Sequence, residues 1–394
     1  MSIEAVDTRA RGLRPRRQAE ALGVVGSLRR LDWLLLAALV AVVAYGLWAI
    51  DGITMRDAAG SALSRQGLYA AAGVLLFLGA LAVDPDTYRR LWRPIYFGTL
   101  GIMLLVLVAG AATRGSKRWI DVGVFTFQPS EFGKVLFVLA LAGLLAERRT
   151  SIGSIATPLK TIGYAVVPIL LVFVQPDIGT ALVYGAVLAA ALFVAGVRWA
   201  HLVAIGAVAL VVVLAVLWWL PAAGVNVLKP YQAQRLTGFT HPDNDPRGAT
   251  YNVRQSIIAV GAGGLRGRGV TGATQTGLDY LPEHSTDFAF ASLAEERGFM
   301  GASILLLIYL LIVWRALKIV AGARDLYCAI VAGGIAFMFM FQVFVNSAMA
   351  MGAAPITGIP LPFVSVGGSS LITNFLAIGI LQAIHMRRVG RRRA

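Results

Sequence analysis

Between residues 31 and 384 the chain returns again and again to apolar runs of membrane-spanning length. About 20 consecutive apolar residues cross the ~30 Å hydrocarbon core of a bilayer as a helix. Inside lipid every backbone N–H and C=O must be satisfied within the protein, so such runs close into helices rather than open strands. The runs lie at 31–50, 68–83, 95–112, 130–146, 162–174, 178–197, 202–220, 299–317, 327–351 and 369–384. They predict an all-α, polytopic membrane protein of about ten transmembrane helices. Composition agrees: 58% of residues are hydrophobic and 14% charged, where a soluble domain carries about 25% charged residues.

The joints between runs carry the orientation. Arg89, Arg90 and Arg93 follow the second run, Arg148, Arg149 and Lys160 the fourth and Arg198 the sixth, and Arg315, Lys318 and Arg324 lie at or after the end of the eighth. Residues 1–30 and 387–394 are basic as well. Basic residues in short loops mark the cytoplasmic side, so both ends are expected there. The net charge of +15 is then topogenic and meets anionic lipid headgroups, and no nucleic acid is needed to explain it. The division that follows is a basic, disordered tail over 1–30, one membrane domain over 31–386 and a second basic tail over 387–394. Gln175-Pro176-Asp177 must form a tight hairpin between the fifth and sixth runs, because proline breaks a helix there. The first run is too long for the apolar core of a signal peptide, and none is expected.

The exception to short joints is 221–298, a large loop between helices seven and eight, expected outside the cytoplasm. Loops of this length are commonly functional. Its apolar stretches 256–260 and 288–293 point to short helices packed on the membrane surface.

Some chemistries are excluded. No G-x-x-x-x-G-K-[ST] phosphate loop occurs, so no nucleotide is expected. Cys328 is the sole cysteine and reads as a small buried hydrophobe. The glycine-rich stretch 261–269 does not follow a buried strand and is not a dinucleotide site. It is either a flexible turn or a place where Arg266 and Arg268 meet a phosphate.

Polar residues in or beside spans are costly in lipid and mark function or internal pairing. Glu131 and Lys134 lie three apart on one helix face, and Asp177 stands at the neighbouring hairpin. They form either an internal ion pair that fixes packing or a polar cavity for a lipid headgroup. In 281–290, Ser285, Thr286 or Asp287 suits an N-cap, and capping is the plain reading of Asp287. A carboxylate at the rim of an apolar segment is also able to act as a base. Ser365-Val366-Gly367-Gly368-Ser369, after Pro360 and Pro362, reads as a rigid helix entry.

At these residues the chain resembles the SEDS family (shape, elongation, division and sporulation). The segments that carry the resemblance are Gly115-Ser116-Lys117-Arg118-Trp119-Ile120 with Phe127 through Glu131 to Lys134, and Gln175-Pro176-Asp177-Ile178-Gly179-Thr180. Asp245 to Gly248 with Tyr251-Asn252 and Gln255-Ser256, Leu281-Pro282-Glu283 to Thr286-Asp287-Phe288, and Gly358 to Ser369 complete it. Tyr251-Asn252, 272–275 and 278–281 read more like the elongation branch, RodA, than the division branch, FtsW. Two positions depart: Ser285 stands where the family usually has histidine, with His284 one place earlier, and Val366 where tyrosine is common.

The resemblance implies a peptidoglycan glycosyltransferase that polymerises lipid II on the outer face of the bacterial cytoplasmic membrane. Asp287 falls on the family's catalytic aspartate, as general base on the acceptor hydroxyl. Lys117, Arg118, Trp119, Glu131, Lys134, Asp177, Arg254, Gln255, Glu283, Thr286 and Ser369 are the implied substrate-binding residues. The diphosphate leaving group needs its charge neutralised, by Lys117, Arg118, Arg254, Arg266 and Arg268 or by a divalent cation such as Mg or Mn. The implied partners are lipid II, membrane lipids, a class B penicillin-binding protein that supplies transpeptidation, and other cell-wall elongation machinery. The alternatives are a lipid II flippase, a division-type member and a non-catalytic scaffold.

Overall fold

Four aspartates start helices, which is how a chain this apolar sets its corners. The Asp32, Asp84, Asp177 and Asp325 side chains accept from the N–H groups of Leu35, Asp86, Thr180 and Cys328 at 2.9–3.1 Å, each satisfying a donor the helix itself leaves open. The computed structural model describes residues 30–55, 62–113, 116–121, 126–225, 227–229 and 249–392. The basic tail 1–29 and the Asp245-to-Gly248 segment lie outside the described residues.

The helices are α1 (Trp33–Ile53), α2 (Ala62–Ala82), the short α3 (Pro85–Arg90) and α4 (Trp92–Ala109). A small antiparallel sheet follows, in the order β1 (Ala111–Thr113), β2 (Ser116–Asp121) and β3 (Thr126–Phe127). Then come α5 (Pro129–Glu147), α6 (Ala156–Val174), α7 (Ile178–Val194) and α8 (Trp199–Ala222). In the large loop lie α9 (Ala249–Gly263), α10 (Gly269–Gly272) and α11 (Thr274–Gly277), followed by α12 (Ala289–Ala321), α13 (Leu326–Ala350) and α14 (Gly368–Arg392).

Among the described residues eight helices are long and apolar enough to cross a membrane, and α4 and α7 are shorter apolar helices. Together they match the ten runs, and the chain is a polytopic helical membrane protein. The hairpin at 175–177 separates α6 from α7, and the loop holds short helices. Two features differ from the sequence reading. The sheet was not foreseen: its strands are short and offer no alternating pattern, and Lys117, Arg118 and Trp119 run along β2. The eighth span begins at Ala289, ten residues before 299, because α12 continues through a kink at Gly298 with φ 66° and ψ −168°. That backbone region is open essentially to glycine alone.

α5, α13 and α14 form the inner core, and α8 buries none of its residues. The start of α1 and the far ends of α12 and α14 meet on one face of the bundle. There the buried Asp32 carboxylate takes Arg315 at 2.6 Å, and the Gln382 side chain both accepts from Asp32 N and donates to Asp32 O, at 3.0 and 2.9 Å. The opposite face carries the loop helices and the sheet.

Candidate active site

Residues 283–288 form a turn wound on one carbonyl. Glu283 O accepts from both Thr286 N and Phe288 N at 3.2 Å, and the Thr286 hydroxyl donates to Glu283 Oε2 at 2.8 Å. The N-cap position of α12 falls on Phe288, with no side-chain cap. Capping by Ser285, Thr286 or Asp287 is therefore corrected: the winding carries the helix start past all three.

Three consecutive carbonyls of this turn are gripped from the α13–α14 region. Ser285 O accepts from Val366 N at 2.9 Å. Thr286 O accepts from the Ser365 hydroxyl at 2.6 Å. Asp287 O accepts from Asn346 Nδ2 at 2.9 Å. Asn346 sits at the end of α13 and also donates to Ile359 O at 2.8 Å. The Ser365 hydroxyl also accepts from Leu361 N at 2.9 Å. The Asp287 carboxylate lies over Gly358, where a Cβ would come within 3.4 Å of Oδ2. It is half-buried, at the rim between the loop face and the buried start of α12. The two departures from the family pattern, Ser285 and Val366, meet each other through main-chain atoms, so a change of side chain at either leaves this bond available.

Glu131 and Lys134 form the ion pair their spacing suggested, 2.8 Å apart with both side chains buried. Asp177 stands nearby. Its Oδ2 takes Gln128 Nε2 at 2.9 Å, from the residue just before α5, and lies 3.7 Å from an Arg118 guanidinium nitrogen. Trp119 is half-buried beside it on β2, opposite Ala111. The backbone of Lys117 pairs with Ala112, and its side chain lies outside the described residues. Ser369 pins the start of α14 to the sheet: its hydroxyl donates to Thr126 O at 3.0 Å and accepts from Gln128 N at 2.9 Å. Arg254 is exposed on α9, with Gln255 half-buried beside it. α9 itself is anchored by the Ser256 hydroxyl donating to Ala350 O at 2.7 Å.

The glycine-rich stretch is a docked element, not a flexible turn. Arg268 N donates to Glu295 O at 2.9 Å, and Phe299 N and Met300 N donate to Gly264 O and Leu265 O at 2.8 and 3.1 Å. These bonds clasp it around the kink of α12. Arg266 is exposed. The Arg268 guanidinium is held by Ala262 O at 3.1 Å and the Thr274 hydroxyl at 3.3 Å. Among the described residues no group of three or more His, Cys, Asp or Glu side chains is placed to hold a metal ion.

Sequence reasoning passed over Asn346, fully buried in an otherwise apolar run. The available signal was Gln342 and Asn346, two amides four residues apart and hence on one helix face, inside a span where polar side chains are expensive.

The FtsW/RodA/SpoVE model, described as a cell cycle protein family, matches residues 27–389. The peptidoglycan glycosyltransferase MrdB of Escherichia coli K12 is 36% identical over 365 residues, covering 91% of this chain and 94% of that protein. The peptidoglycan glycosyltransferase RodA of Treponema pallidum is 31% identical, covering 91% and 98%. In three dimensions the chain is similar to a member of a peptidoglycan synthase complex that coordinates polymerization and crosslinking. There the TM-score is 0.76 at 31% identity, covering 91% of this chain and 98% of that one. The rod shape determining protein RodA of Thermus thermophilus superposes with a TM-score of 0.67 at 28% identity, covering 91% and 97%. With a family model spanning nearly its whole length and relatives 31–36% identical over 91% of it, this chain belongs to the SEDS (FtsW/RodA/SpoVE) family.

Proposed function

We propose that the chain is a peptidoglycan glycosyltransferase that polymerises lipid II on the outer face of the bacterial cytoplasmic membrane during cell elongation. The observation that carries this reading is the placement of Asp287: a half-buried carboxylate at the loop face, on a turn held by three consecutive carbonyl hydrogen bonds.

In the reaction an acceptor sugar 4-hydroxyl attacks the anomeric carbon of the donor, and the polyprenyl diphosphate leaves. Asp287 takes the hydroxyl proton as the new C–O bond forms, a contribution of about 10²–10⁴-fold for a well-placed base. The diphosphate needs charge neutralisation rather than a proton. Arg254 and Arg266 are exposed, the Arg268 guanidinium is held by Ala262 O and the Thr274 hydroxyl, and Arg118 lies on β2 near Asp177; Lys117 is the neighbouring candidate along the same strand. α8 buries none of its residues, and the polyprenyl tail needs a path between helices that is open to the bilayer. The basic joints on the opposite face support a cytoplasmic location for both chain ends, and on that reading Asp287 faces the side where cell wall is built.

The partner that fits is a class B penicillin-binding protein supplying the transpeptidase, alongside other elongation machinery. The likeness to a peptidoglycan synthase complex supports it. The test is conversion of purified lipid II into glycan strands by the chain with that partner, its transpeptidase blocked. Strands support the reading; folded protein and partner without strands would sink it.

A further inference from the structure

We infer that Asn346 and Ser365 are positioning residues for the Asp287 carboxylate, acting through the main chain on either side of it. This rests on the reading of Asp287 as the base. Asn346 Nδ2 holds Asp287 O, and the Ser365 hydroxyl holds Thr286 O, so the peptide units flanking the Asp287 Cα are both tied to α13 and the α13–α14 loop. Fixing two successive peptide planes fixes φ and ψ between them, and with these the direction of the Cα–Cβ bond.

Neither side chain has a competing role in solvent. Asn346 is 0% exposed and Ser365 4%. Each is bidentate: Asn346 spans Asp287 O and Ile359 O, and Ser365 spans Thr286 O and Leu361 N. Each therefore ties the Asp287 turn to the 359–361 segment, which adjoins Gly358, the floor under the carboxylate. The Ser365 carbonyl is in turn held by Gln66 Nε2 at 3.2 Å, from α2. A fully buried asparagine inside an apolar span is costly unless it is hydrogen-bonded. Here both of its donor bonds are spent on the Asp287 turn and the carboxylate's floor, and none on helix packing.

The experiment measures lipid II polymerisation by the full chain with its transpeptidase partner. It compares wild type, Asn346→Leu, Ser365→Ala, Ser365→Thr and Asp287→Asn, and the double variant Asn346→Leu/Asp287→Asn, with melting temperature recorded for each. A displaced base costs about 100-fold in turnover. The expected result is that loss in kcat for Asn346→Leu and Ser365→Ala, with KM within about twofold, because only transition-state contacts are removed. Ser365→Thr, which keeps the hydroxyl, restores most of the rate. The double variant loses nothing beyond Asp287→Asn, since the amide acts only through that carboxylate.

Folded Asn346→Leu and Ser365→Ala with wild-type kcat would overturn the inference while leaving the base intact. So would a loss that tracks melting temperature or KM. If Asn346→Leu does not fold, the Ser365→Ala and Ser365→Thr pair decides alone. Wild-type turnover by Asp287→Asn would remove the base, and the inference with it.

Discussion

Lys134 Nζ sits 2.8 Å from Glu131 Oε1, one turn along α5, with both side chains withdrawn from solvent. The second carboxylate oxygen of Glu131 is buried without a hydrogen-bond partner. Breaking a buried pair from one side strands a charge, at a cost of about 3–5 kcal/mol. Lys134→Met should lower stability by that order, and Glu131→Gln/Lys134→Met should recover most of it. Thermal unfolding of the detergent-solubilised variants checks this. Equal losses in the single and double variants would mean that the pair is not charged.

Gly298 gives the second prediction. At φ 66° and ψ −168° it sits where other residues are strained, and a Cβ there would also crowd the backbone of Arg266 and Gly267. Gly298→Ala should cost about 1–3 kcal/mol from backbone strain alone. Because the glycine-rich stretch is clasped around this kink, limited proteolysis near 264–268 should rise together with the loss of stability. A loss of stability with no new cleavage would separate the kink from the loop.

Asp325 gives a pH dependence outside the spans. Burial by itself raises its pKa, but the hydrogen bond from Cys328 N–H and the Arg324 guanidinium outweigh burial, and the carboxyl is held below its ordinary 3.8. A depressed carboxyl adds stability that is complete above the unfolded value and is lost as pH falls through the folded one. The protection factor of the amides at the start of α13, measured exchange set against the intrinsic rate at each pH, should therefore be constant from pH 8 down to about 5 and fall below about 4. Asp325→Asn should flatten that profile. An unchanged profile in the variant would assign the acid sensitivity elsewhere.

The ten apolar runs and the hairpin at 175–177 were legible because lipid enforces a single local rule, a long apolar helix between polar turns. The Glu131–Lys134 pair was legible from helical spacing. The start of α12 was not, because Glu295, Glu296 and Arg297 read as loop. Glu295 is fully buried only because it accepts from Gln275 N, Thr276 N and the Thr276 hydroxyl at 2.8–2.9 Å, contacts that no local pattern contains. Asp287 was legible as a motif residue, but its mounting was not. The carbonyl grips come from Asn346, Ser365 and Val366, 59 to 81 residues further on.

The most direct measurement is the rate of glycan-strand formation from lipid II by wild type and Asp287→Asn, each with the transpeptidase-blocked partner, before and after chelation of divalent cations. The account predicts strands from wild type and a rate lower by about 10²-fold or more from folded Asp287→Asn. Chelation shows whether a divalent cation helps to neutralise the diphosphate leaving group. Equal rates from wild type and Asp287→Asn would contradict the account.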